Sequence, residues 1–200
     1  MLIAIAGIDG AGKTRLARAV ARRVSGLYRK QCVGRSFDRA LALHGVPDVT
    51  QLPSSVGQIL SVAYATDFAA YAGRFGARAP SADRHVVLDR WLSCVRSFAA
   101  VFALEPCAIT HILAKVDRPD VEFLLDLDPA IALSRVRKRG AFDWDERIEL
   151  LEPLRRAYLS QAGGNTIILD ASRAEDEVRD SAIAHLARSN CGSRSDSSSD

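Results

Sequence analysis

A glycine-rich segment near the start of the chain, residues 7–14, restricts the possible folds more than any other feature of the sequence. It reads GIDGAGKT and fits the pattern G-x-x-x-x-G-K-[ST] at every fixed position. Glycines let the backbone curl so that successive N–H groups point inward, where they can bind phosphate oxygens. Lys13 would reach the terminal phosphates of a nucleotide, and the Thr14 hydroxyl would bind its Mg²⁺. The segment therefore predicts a phosphate-binding loop.

The sequence on either side of this loop supports the prediction. Residues 2–6 form a short apolar run, which predicts a buried parallel strand. After the loop, Leu16, Val20 and Val24 recur every four residues, which predicts a helix that buries one face. A strand, the loop and a helix in this order are the context that a true phosphate-binding loop requires. The alternative is a glycine turn followed by an ordinary surface lysine.

Strand and helix patterns alternate along the rest of the chain. Apolar runs predict five strands, at residues 2–6, near 31–34, and at 85–88, 121–127 and 166–169. Helical patterns occupy residues 13–25, 55–78, 92–104, 129–139, 145–162 and 174–188. This alternation predicts an α/β fold of three layers, with a five-stranded parallel sheet flanked by helices. Ligands bind such sheets at the carboxyl ends of the strands, so the loop, Asp89 and the segment after Leu169 should converge.

Composition and charge limit the class of protein. A chain of 200 residues corresponds to one domain, placed here at residues 1–188, and the polar segment 189–200 is predicted to be a disordered tail. The net charge of +3 is too small to indicate nucleic acid as the main partner. No apolar stretch is long enough to span a bilayer, and the four cysteines lack the spacing of metal ligands. We therefore expect a cytoplasmic protein that binds neither nucleic acid nor membranes.

A second candidate site follows the apolar run at residues 85–88. The run ends in Asp89 and Arg90. A carboxylate at the end of a strand can lie near the water shell of Mg²⁺ or accept a proton from a phosphate acceptor. An arginine beside it can form two parallel hydrogen bonds with phosphate oxygens. The alternatives are a helix N-cap for Asp89 and a structural ion pair for Arg90.

A third candidate site is the basic end of the helix predicted at residues 129–139. Asp128 followed by Pro129 predicts where this helix begins, and Gly140 predicts where it ends. Its cations are Arg135, Arg137, Lys138 and Arg139. One interpretation is a solvated helix terminus that favours positive charge. The other is a mobile lid, at about residues 135–147, whose arginines neutralise charge on a transferring phosphate.

These three features, in this order, resemble the thymidylate kinase family of P-loop nucleoside monophosphate kinases over about residues 1–188. The family's loop G-x-D-G-x-G-K-[ST] matches residues 7–14, and its D-R-Y motif is similar to Asp89-Arg90-Trp91. Residues 123–140 read FLLDLDPAIALSRVRKRG, close to the family's strand and lid sequence LLLDVDPEVALxRxRxRG. Residues 150–159 and 168–172 look like the helix after the lid and the last strand with its adenine loop. The resemblance implies the P-loop NTPase fold with a small lid.

The resemblance implies ATP as the phosphate donor, with Mg²⁺ as the cofactor. The residues that would bind ATP are Gly7, Asp9, Gly10, Ala11, Gly12, Lys13, Thr14, Arg135 and Ala171. Thr14 and Asp89 would bind the metal. The residues that would act in catalysis are Lys13, Asp89, Arg90 and the lid residue Arg139.

The resemblance also implies a nucleoside monophosphate as the acceptor, by default dTMP, which would become dTDP. Arg35 would bind the acceptor phosphate, and Arg90 would bridge the donor and acceptor phosphates. Asp9 would face the acceptor's sugar or phosphate, and the ring of Tyr64 would stack on its pyrimidine. Phe68 occupies the position of an arginine that hydrogen-bonds the thymine edge in the family, and a phenyl ring cannot donate.

Other departures and alternatives accompany this prediction. The family's R-x-P-G motif is Arg35-Ser36-Phe37-Asp38 here, and its lid motif D-R-x-E is Asp143-Trp144-Asp145-Glu146. Arg139 or Arg147 would replace the missing lid arginine, and Arg139 is our prediction. The alternatives to dTMP are a modified nucleotide, a nucleoside or another small metabolite, and a non-catalytic nucleotide-binding protein is a further alternative. The resemblance implies a homodimer.

Overall fold

The computed structural model describes residues 1–31, 35–46, 51–75, 85–102, 106–140 and 146–192. Its strands are β1 (Leu2–Gly7), β2 (Leu27–Lys30), β3 (Val86–Asp89), β4 (Val121–Asp126) and β5 (Thr166–Asp170). Its helices are α1 (Lys13–Arg23), α2 (Arg35–His44), α3 (Ser54–Phe75), α4 (Leu92–Val101), α5 (Pro106–Leu113), α6 (Pro129–Arg139), α7 (Ile148–Ser160) and α8 (Glu175–Gly192).

The five strands form one sheet in the order β2-β3-β1-β4-β5, and every pair is parallel. The predicted five-stranded parallel sheet is confirmed. Strand β1 lies in the middle, where Ile3 is in register with Val87 on one side and Val121 on the other. Every residue of β1 is buried, because helices cover both faces of the sheet. Burial on both faces explains why β1 is a continuous apolar run rather than an alternating one.

Helices pack on the two faces of the sheet and form two core clusters. The first core cluster joins Ile3, Ile5 and Phe123 of the sheet to Leu16, Val20, Ala182 and Leu186 of α1 and α8. The second core cluster joins Leu2, Ala4, Val86 and Leu88 to Tyr64, Phe68, Val95 and Ile109 of α3, α4 and α5. From Leu2 to Ile5, successive residues of β1 thus contribute to different clusters, as the alternation of side chains along a strand requires.

The six predicted helices are present as α1, α3, α4, α6, α7 and α8, with ends shifted by a few residues. The predicted extensions at residues 76–78 and 103–104 lie outside the described residues. Helices α2 and α5 were not predicted, because segments of ten and eight residues are short windows for a helical period.

The prediction of the second strand at residues 31–34 is wrong. The strand is β2, Leu27–Lys30, and residues 32–34 lie outside the described residues. Strand β2 is at the edge of the sheet, with Leu27 and Tyr28 half-buried and Arg29 and Lys30 exposed. An edge strand with charged residues has no apolar run, so a search for apolar runs misses it.

The two ends of α6 agree with the sequence. The Asp128 side chain accepts hydrogen bonds from the backbone N–H groups of Ala130 (2.8 Å) and Ile131 (3.4 Å), as an N-cap does. Gly140 ends the helix with φ of 81°, a conformation that glycine adopts without a steric penalty. The last turn of α6 therefore holds Arg137, Lys138 and Arg139 in a defined position, within the segment predicted to be a lid.

The last described helix is α8, which extends to Gly192 and includes residues 189–192 of the predicted tail, whereas residues 193–200 lie outside the described residues. They make up most of the segment predicted to be a polar tail. Among the described residues, no helix is both long and apolar enough to cross a membrane.

Replacement of Phe68 by alanine should strongly destabilise the fold. The Phe68 ring is fully buried and makes an edge contact with Trp91, with ring centroids 5.0 Å apart. We expect Phe68→Ala to lower the free energy of unfolding by about 3–5 kcal/mol, through lost burial and the cavity left behind. Urea unfolding monitored by circular dichroism measures this change.

The matched control is Leu43→Ala on α2, because Leu43 is 85% exposed. Its free energy of unfolding should stay within about 0.5 kcal/mol of the parent value. Equal losses in the two variants would contradict the placement of Phe68 in the second core cluster.

Candidate active site

The loop at residues 7–14 lies at the carboxyl end of β1 and leads directly into α1. Gly7 and Gly10 have φ of 134° and 84°, and each lies against the backbone of another element. A Cβ on Gly7 would lie 2.6 Å from the carbonyl oxygen of Leu125, and one on Gly10 would lie 2.4 Å from that of Ala132. Both positions therefore need glycine for space as well as for conformation. The loop is packed against β4 and α6.

Two cations meet on one carboxylate in this loop. Lys13 Nζ donates to the carbonyl oxygen of Ile8 at 2.8 Å and to Asp9 Oδ1 at 3.1 Å. An Arg90 guanidinium nitrogen donates to the same oxygen of Asp9. Asp9 and Lys13 belong to the loop, and Arg90 follows β3. The loop and the end of β3 therefore lie together, as the sequence predicts. Lys13 is buried, so it is not an ordinary surface lysine.

These contacts, together with burial, change the pKa of Asp9 and that of Lys13. Burial opposes ionisation of Asp9, but the charges and hydrogen bonds of Lys13 and Arg90 outweigh it and hold the pKa of Asp9 far below its ordinary value. Burial and the charge of Arg90 lower the pKa of Lys13, against the opposing attraction of Asp9. Two positive charges therefore lie close together around one negative charge. The cluster has the net positive charge that a phosphate group needs.

Arg90 adopts an unusual backbone conformation, with φ of 73°. Left-handed backbone is uncommon outside glycine and is often found at functional sites. The Arg90 N–H donates to Ile5 O at 3.0 Å, which continues the ladder between β3 and β1. The next residue, Trp91, is buried, and its indole N–H donates to Asp117 O at 2.9 Å. This turn directs the Arg90 side chain to the loop while Trp91 packs into the second core cluster.

A second carboxylate, Asp89, lies beside the start of α1. Asp89 Oδ2 accepts hydrogen bonds from Thr14 Oγ1 at 2.6 Å and from the Tyr28 hydroxyl at 3.0 Å. Asp89 is fully buried, and its other oxygen, Oδ1, has no hydrogen-bond partner in the described part of the chain. Helix α4 begins at Leu92 with Trp91 as its N-cap, so Asp89 is not a helix cap.

The oxygen atoms of Thr14 and Asp89 suit Mg²⁺. Mg²⁺ prefers hard oxygen ligands and keeps several waters. A buried carboxylate oxygen without a partner is costly unless it gains a cation or a donor, so Asp89 Oδ1 fits a metal-bound water or the metal itself. The nearby hydroxyl stays protonated, because burial and the charge of Asp89 raise the pKa of Tyr28.

Two residues behind the loop were not predicted from the sequence. Cys94 of α4 and Tyr158 of α7 are both buried, and each affects the pKa of the other. Burial raises the pKa of both groups, so both are neutral. Neither residue belongs to a motif, and only the packing of α4 against α7 brings them together.

The end of β4 is tied to α7 by a two-pronged ion pair. Arg155 Nε and Nη2 donate to Asp126 Oδ1 and Oδ2 at 2.6 Å and 3.0 Å. Asp126 O accepts a hydrogen bond from the Ala171 N–H at 2.8 Å. Arg155 is 29 residues away from Asp126 in the sequence, so this pair leaves no local sequence signal.

Two parts of the predicted lid are visible. Arg135 Nη1 donates to Ala171 O at 3.1 Å, so these two predicted ATP-binding residues are in direct contact. Arg139 forms an ion pair with the buried carboxylate of Glu146. The residues between them, 141–145, include Asp143 and Trp144 and lie outside the described residues. The catalytic role of Arg139 stays a prediction.

The residues predicted to bind the acceptor are placed less directly. Tyr64 and Phe68 are buried one turn apart on α3, and the Tyr64 ring lies 5.6 Å from that of Phe98 between centroids. Arg35 is the first residue of α2, but its side chain lies outside the described residues. Asp9 and Arg90 meet in the cation cluster described above. The acceptor-binding roles of these residues stay predictions.

Comparisons with known proteins identify the family of the chain. A family model described as thymidylate kinase matches residues 59–182. A probable thymidylate kinase of Archaeoglobus fulgidus is 30% identical over 186 residues, which cover 90% of this chain and 91% of that protein. A probable thymidylate kinase of Sulfurisphaera tokodaii is 29% identical over 187 residues, which cover 90% and 93%. The thymidylate kinase of Xylella fastidiosa is 30% identical over 205 residues, which cover 92% and 89%.

A solved structure has a similar fold. It is that of deoxyadenosine kinase from M. mycoides with the products dCMP and a flexible dCDP bound, and its TM-score is 0.71. The match covers 94% of this chain and 100% of that chain at 16% sequence identity. At this identity the likeness shows the fold alone.

Replacement of Gly10 by alanine should damage the loop more than strain alone can explain. An L-residue in left-handed backbone loses about 1–2 kcal/mol of stability. The added Cβ of Gly10→Ala would also collide with the Ala132 backbone, which cannot move without α6. We therefore expect the free energy of unfolding to fall by clearly more than about 2 kcal/mol, and ATP affinity to fall with it.

Gly45→Ala is the matched control, because Gly45 has φ of 62° and open space around its Cβ position. It should lose about 1–2 kcal/mol of stability and keep its affinity for ATP. Urea unfolding and calorimetric titration with ATP measure both quantities. If the two variants behaved alike, the close approach of the loop to α6 would be wrong.

Proposed function

The chain belongs to the thymidylate kinase family, and on that premise we propose that it transfers the γ-phosphoryl group of ATP to dTMP, giving ADP and dTDP. The observation that carries this proposal is the meeting of Lys13 and Arg90 on Asp9 at the glycine-rich loop. One cation comes from the donor loop and the other from the strand end beside it. A phosphate placed at this point would receive hydrogen bonds from both.

Nucleotide binding would rearrange the cation cluster. The loop amides would bind the donor phosphates, and Lys13 would exchange Asp9 for the terminal phosphate oxygens. Arg135 and Ala171, which are in contact, would lie against the adenine end of ATP. Burial of Lys13 would strengthen its attraction to a phosphate anion, because water screens a buried ammonium less than an exposed one.

Thr14 and Asp89 would hold Mg²⁺ with the nucleotide. Bound Mg²⁺ supplies neutralisation of the charge on the β- and γ-phosphates. Within the described residues, no group of three His, Cys, Asp or Glu side chains is placed to hold a metal ion. The remaining ligands would therefore come from water and from the phosphates, as is usual for Mg²⁺ in phosphoryl-transfer sites.

Transfer of the phosphoryl group would need no covalent intermediate with the protein. An oxygen of the dTMP phosphate would attack the γ-phosphorus as the bond to the bridging oxygen of ADP breaks. The acceptor is already an anion, so no general base is required. Arg90 would bridge the two phosphates, and Arg139 would neutralise the charge spread over the transferring group. Catalysis would thus rest on positioning and charge.

A different nucleotide acceptor is the second candidate. Phe68 is fully buried in the second core cluster, and it stands where the resemblance places a base-binding arginine. A phenyl ring provides no hydrogen bond to a base edge. A site without that donor would bind the thymine base differently, and a modified or other monophosphate is the alternative that this residue favours.

The proposal also includes the homodimer that the family resemblance implies. It includes the cytoplasmic location expected from the composition as well. Ile59 and Val62 on α3 are 69% and 42% exposed, which is unusual for large apolar side chains one turn apart. This outward face of α3 supports a contact with a second copy of the chain.

The function is tested by the rate of ADP formation with Mg-ATP and a panel of acceptors. The panel is dTMP, dUMP, dCMP, dAMP, dGMP, UMP and thymidine, which tests a hydroxyl acceptor. We expect dTMP to give the highest kcat/KM, and Lys13→Ala to lower it about a hundredfold or more because the phosphate loses its buried cation. Lys115→Ala, at an exposed lysine, should have no effect.

Activity confined to another monophosphate would replace dTMP as the acceptor. Turnover of thymidine alone would show a nucleoside kinase, in which Asp89 would act as a base. If no acceptor were phosphorylated although ATP bound, the protein would not be a kinase for these compounds.

The lid is tested by comparing Arg139→Ala with Arg137→Ala. Arg139 contacts the buried Glu146, whereas Arg137 is exposed in the last turn of α6. We expect Arg139→Ala to lower kcat about a hundredfold with a small change in the KM for ATP, since its contact forms with the transferring group. Arg137→Ala should keep kcat within about threefold. Equal kcat losses would indicate that the lid acts only through its general positive charge.

A further inference from the structure

Tyr28 is a side chain at the candidate active site that no motif accounts for. Its hydroxyl donates a hydrogen bond to Asp89 Oδ2 at 3.0 Å, beside the bond from Thr14 at 2.6 Å. Two donors on one oxygen fix the plane of the carboxylate and leave Oδ1 without a partner among the described residues. Asp89 is fully buried, so no bulk water competes for either oxygen.

The sheet and α1 hold Tyr28 in place. Strand β2 pairs with β3 so that Tyr28 is in register with Val87. Side chains alternate along a strand, so those of Val87 and Asp89 lie on the same face of the sheet, and the Tyr28 side chain lies on that face too. The guanidinium carbon of Arg18 lies 5.4 Å from the centre of the Tyr28 ring, within the range of a cation–π contact. The ring is therefore clamped between the sheet edge and α1.

The contacts of Tyr28 belong to a closed circuit of four residues, in which each side chain contacts the next and the first and last lie on the same helix. Thr14 and Arg18 are one turn apart on the same side of α1. Thr14 binds Asp89, Asp89 binds Tyr28, and Tyr28 contacts Arg18. The circuit joins the helix that follows the phosphate loop to both strands at this edge of the sheet.

We propose that Tyr28 is a positioning residue that holds the Asp89 carboxylate in the orientation required for the magnesium–nucleotide complex. This proposal rests on the magnesium site of the proposed function and not on the identity of the acceptor. The Thr14 hydroxyl would bind the metal in addition to its hydrogen bond with Asp89, so it would not be dedicated to orienting the carboxylate. Tyr28 is the donor to Asp89 that has no other duty at the metal. Partners of this kind orient metal-binding groups and strongly affect metal affinity.

Tyr28→Phe tests the proposal with the smallest possible change. It removes one hydroxyl and keeps the ring, its packing and its contact with Arg18. The measured quantity is the dissociation constant of ATP by calorimetric titration, without acceptor, once with excess Mg²⁺ and once with EDTA. We expect binding of the magnesium complex to weaken about tenfold and binding of metal-free ATP to stay unchanged.

Tyr71→Phe is the matched control. Tyr71 lies on α3, and its hydroxyl donates to the backbone oxygen of Lys30 at 2.8 Å rather than to Asp89. This variant should bind ATP as the parent does, with and without Mg²⁺. A second comparison uses Asp89→Asn as the background, in which Tyr28→Phe should add no further loss, because Tyr28 acts through that carboxylate.

The remaining possible results of these titrations would each contradict the proposal. An equal loss with Mg²⁺ and with EDTA would show that Tyr28 supports the loop in general, which would overturn the proposal. No loss in either condition would overturn it as well. If the parent protein bound ATP equally with and without Mg²⁺, the magnesium site of the proposed function would be wrong, and the positioning role of Tyr28 would be wrong with it.

Discussion

The carboxylate of Asp9 holds two cations together at the carboxyl edge of the sheet, and the chemistry of the site depends on this contact. Lys13 and Arg90 would repel each other without it, and the charge of Arg90 already lowers the pKa of Lys13. Asp9 stays ionised because the two cations outweigh the effect of its burial. If these cations bind phosphate as proposed, they are in position before a phosphate arrives, which would reduce the reorganisation needed on binding.

The parallel sheet is what brings these groups together. Strands β1 and β3 are neighbours, and Ile5 is in register with Asp89, so the loop after β1 and the residues after β3 leave the sheet side by side. The left-handed turn at Arg90 then directs its side chain to Asp9. On the other side of β1, Gly10 lets the loop touch α6. The glycine-rich loop, Asp89 and α6 therefore lie together at one edge of the sheet.

Much of this could be predicted from the sequence, and the failures have physical causes. The loop, the strand ending in Asp89 and the two ends of α6 have local signals, because glycine, proline and capping residues act on their own neighbourhood. Strand β2 was misplaced because edge strands lack apolar runs, and Tyr28 was missed with it. The pairs Arg155–Asp126 and Arg139–Glu146 depend on packing between elements, which no single segment encodes. The burial of Phe68 beside Trp91 likewise depends on how α3 packs against α4.

The most direct test of this account is a crystal structure with Mg²⁺, dTMP and an unreactive ATP analogue bound. We expect Lys13 to leave Asp9 for a donor phosphate oxygen, and Arg90 to lie between the donor and acceptor phosphates. Mg²⁺ would lie beside Thr14 and Asp89. A nucleotide bound elsewhere, with Lys13 and Arg90 still paired to Asp9, would contradict the assignment of this cluster as the phosphate site.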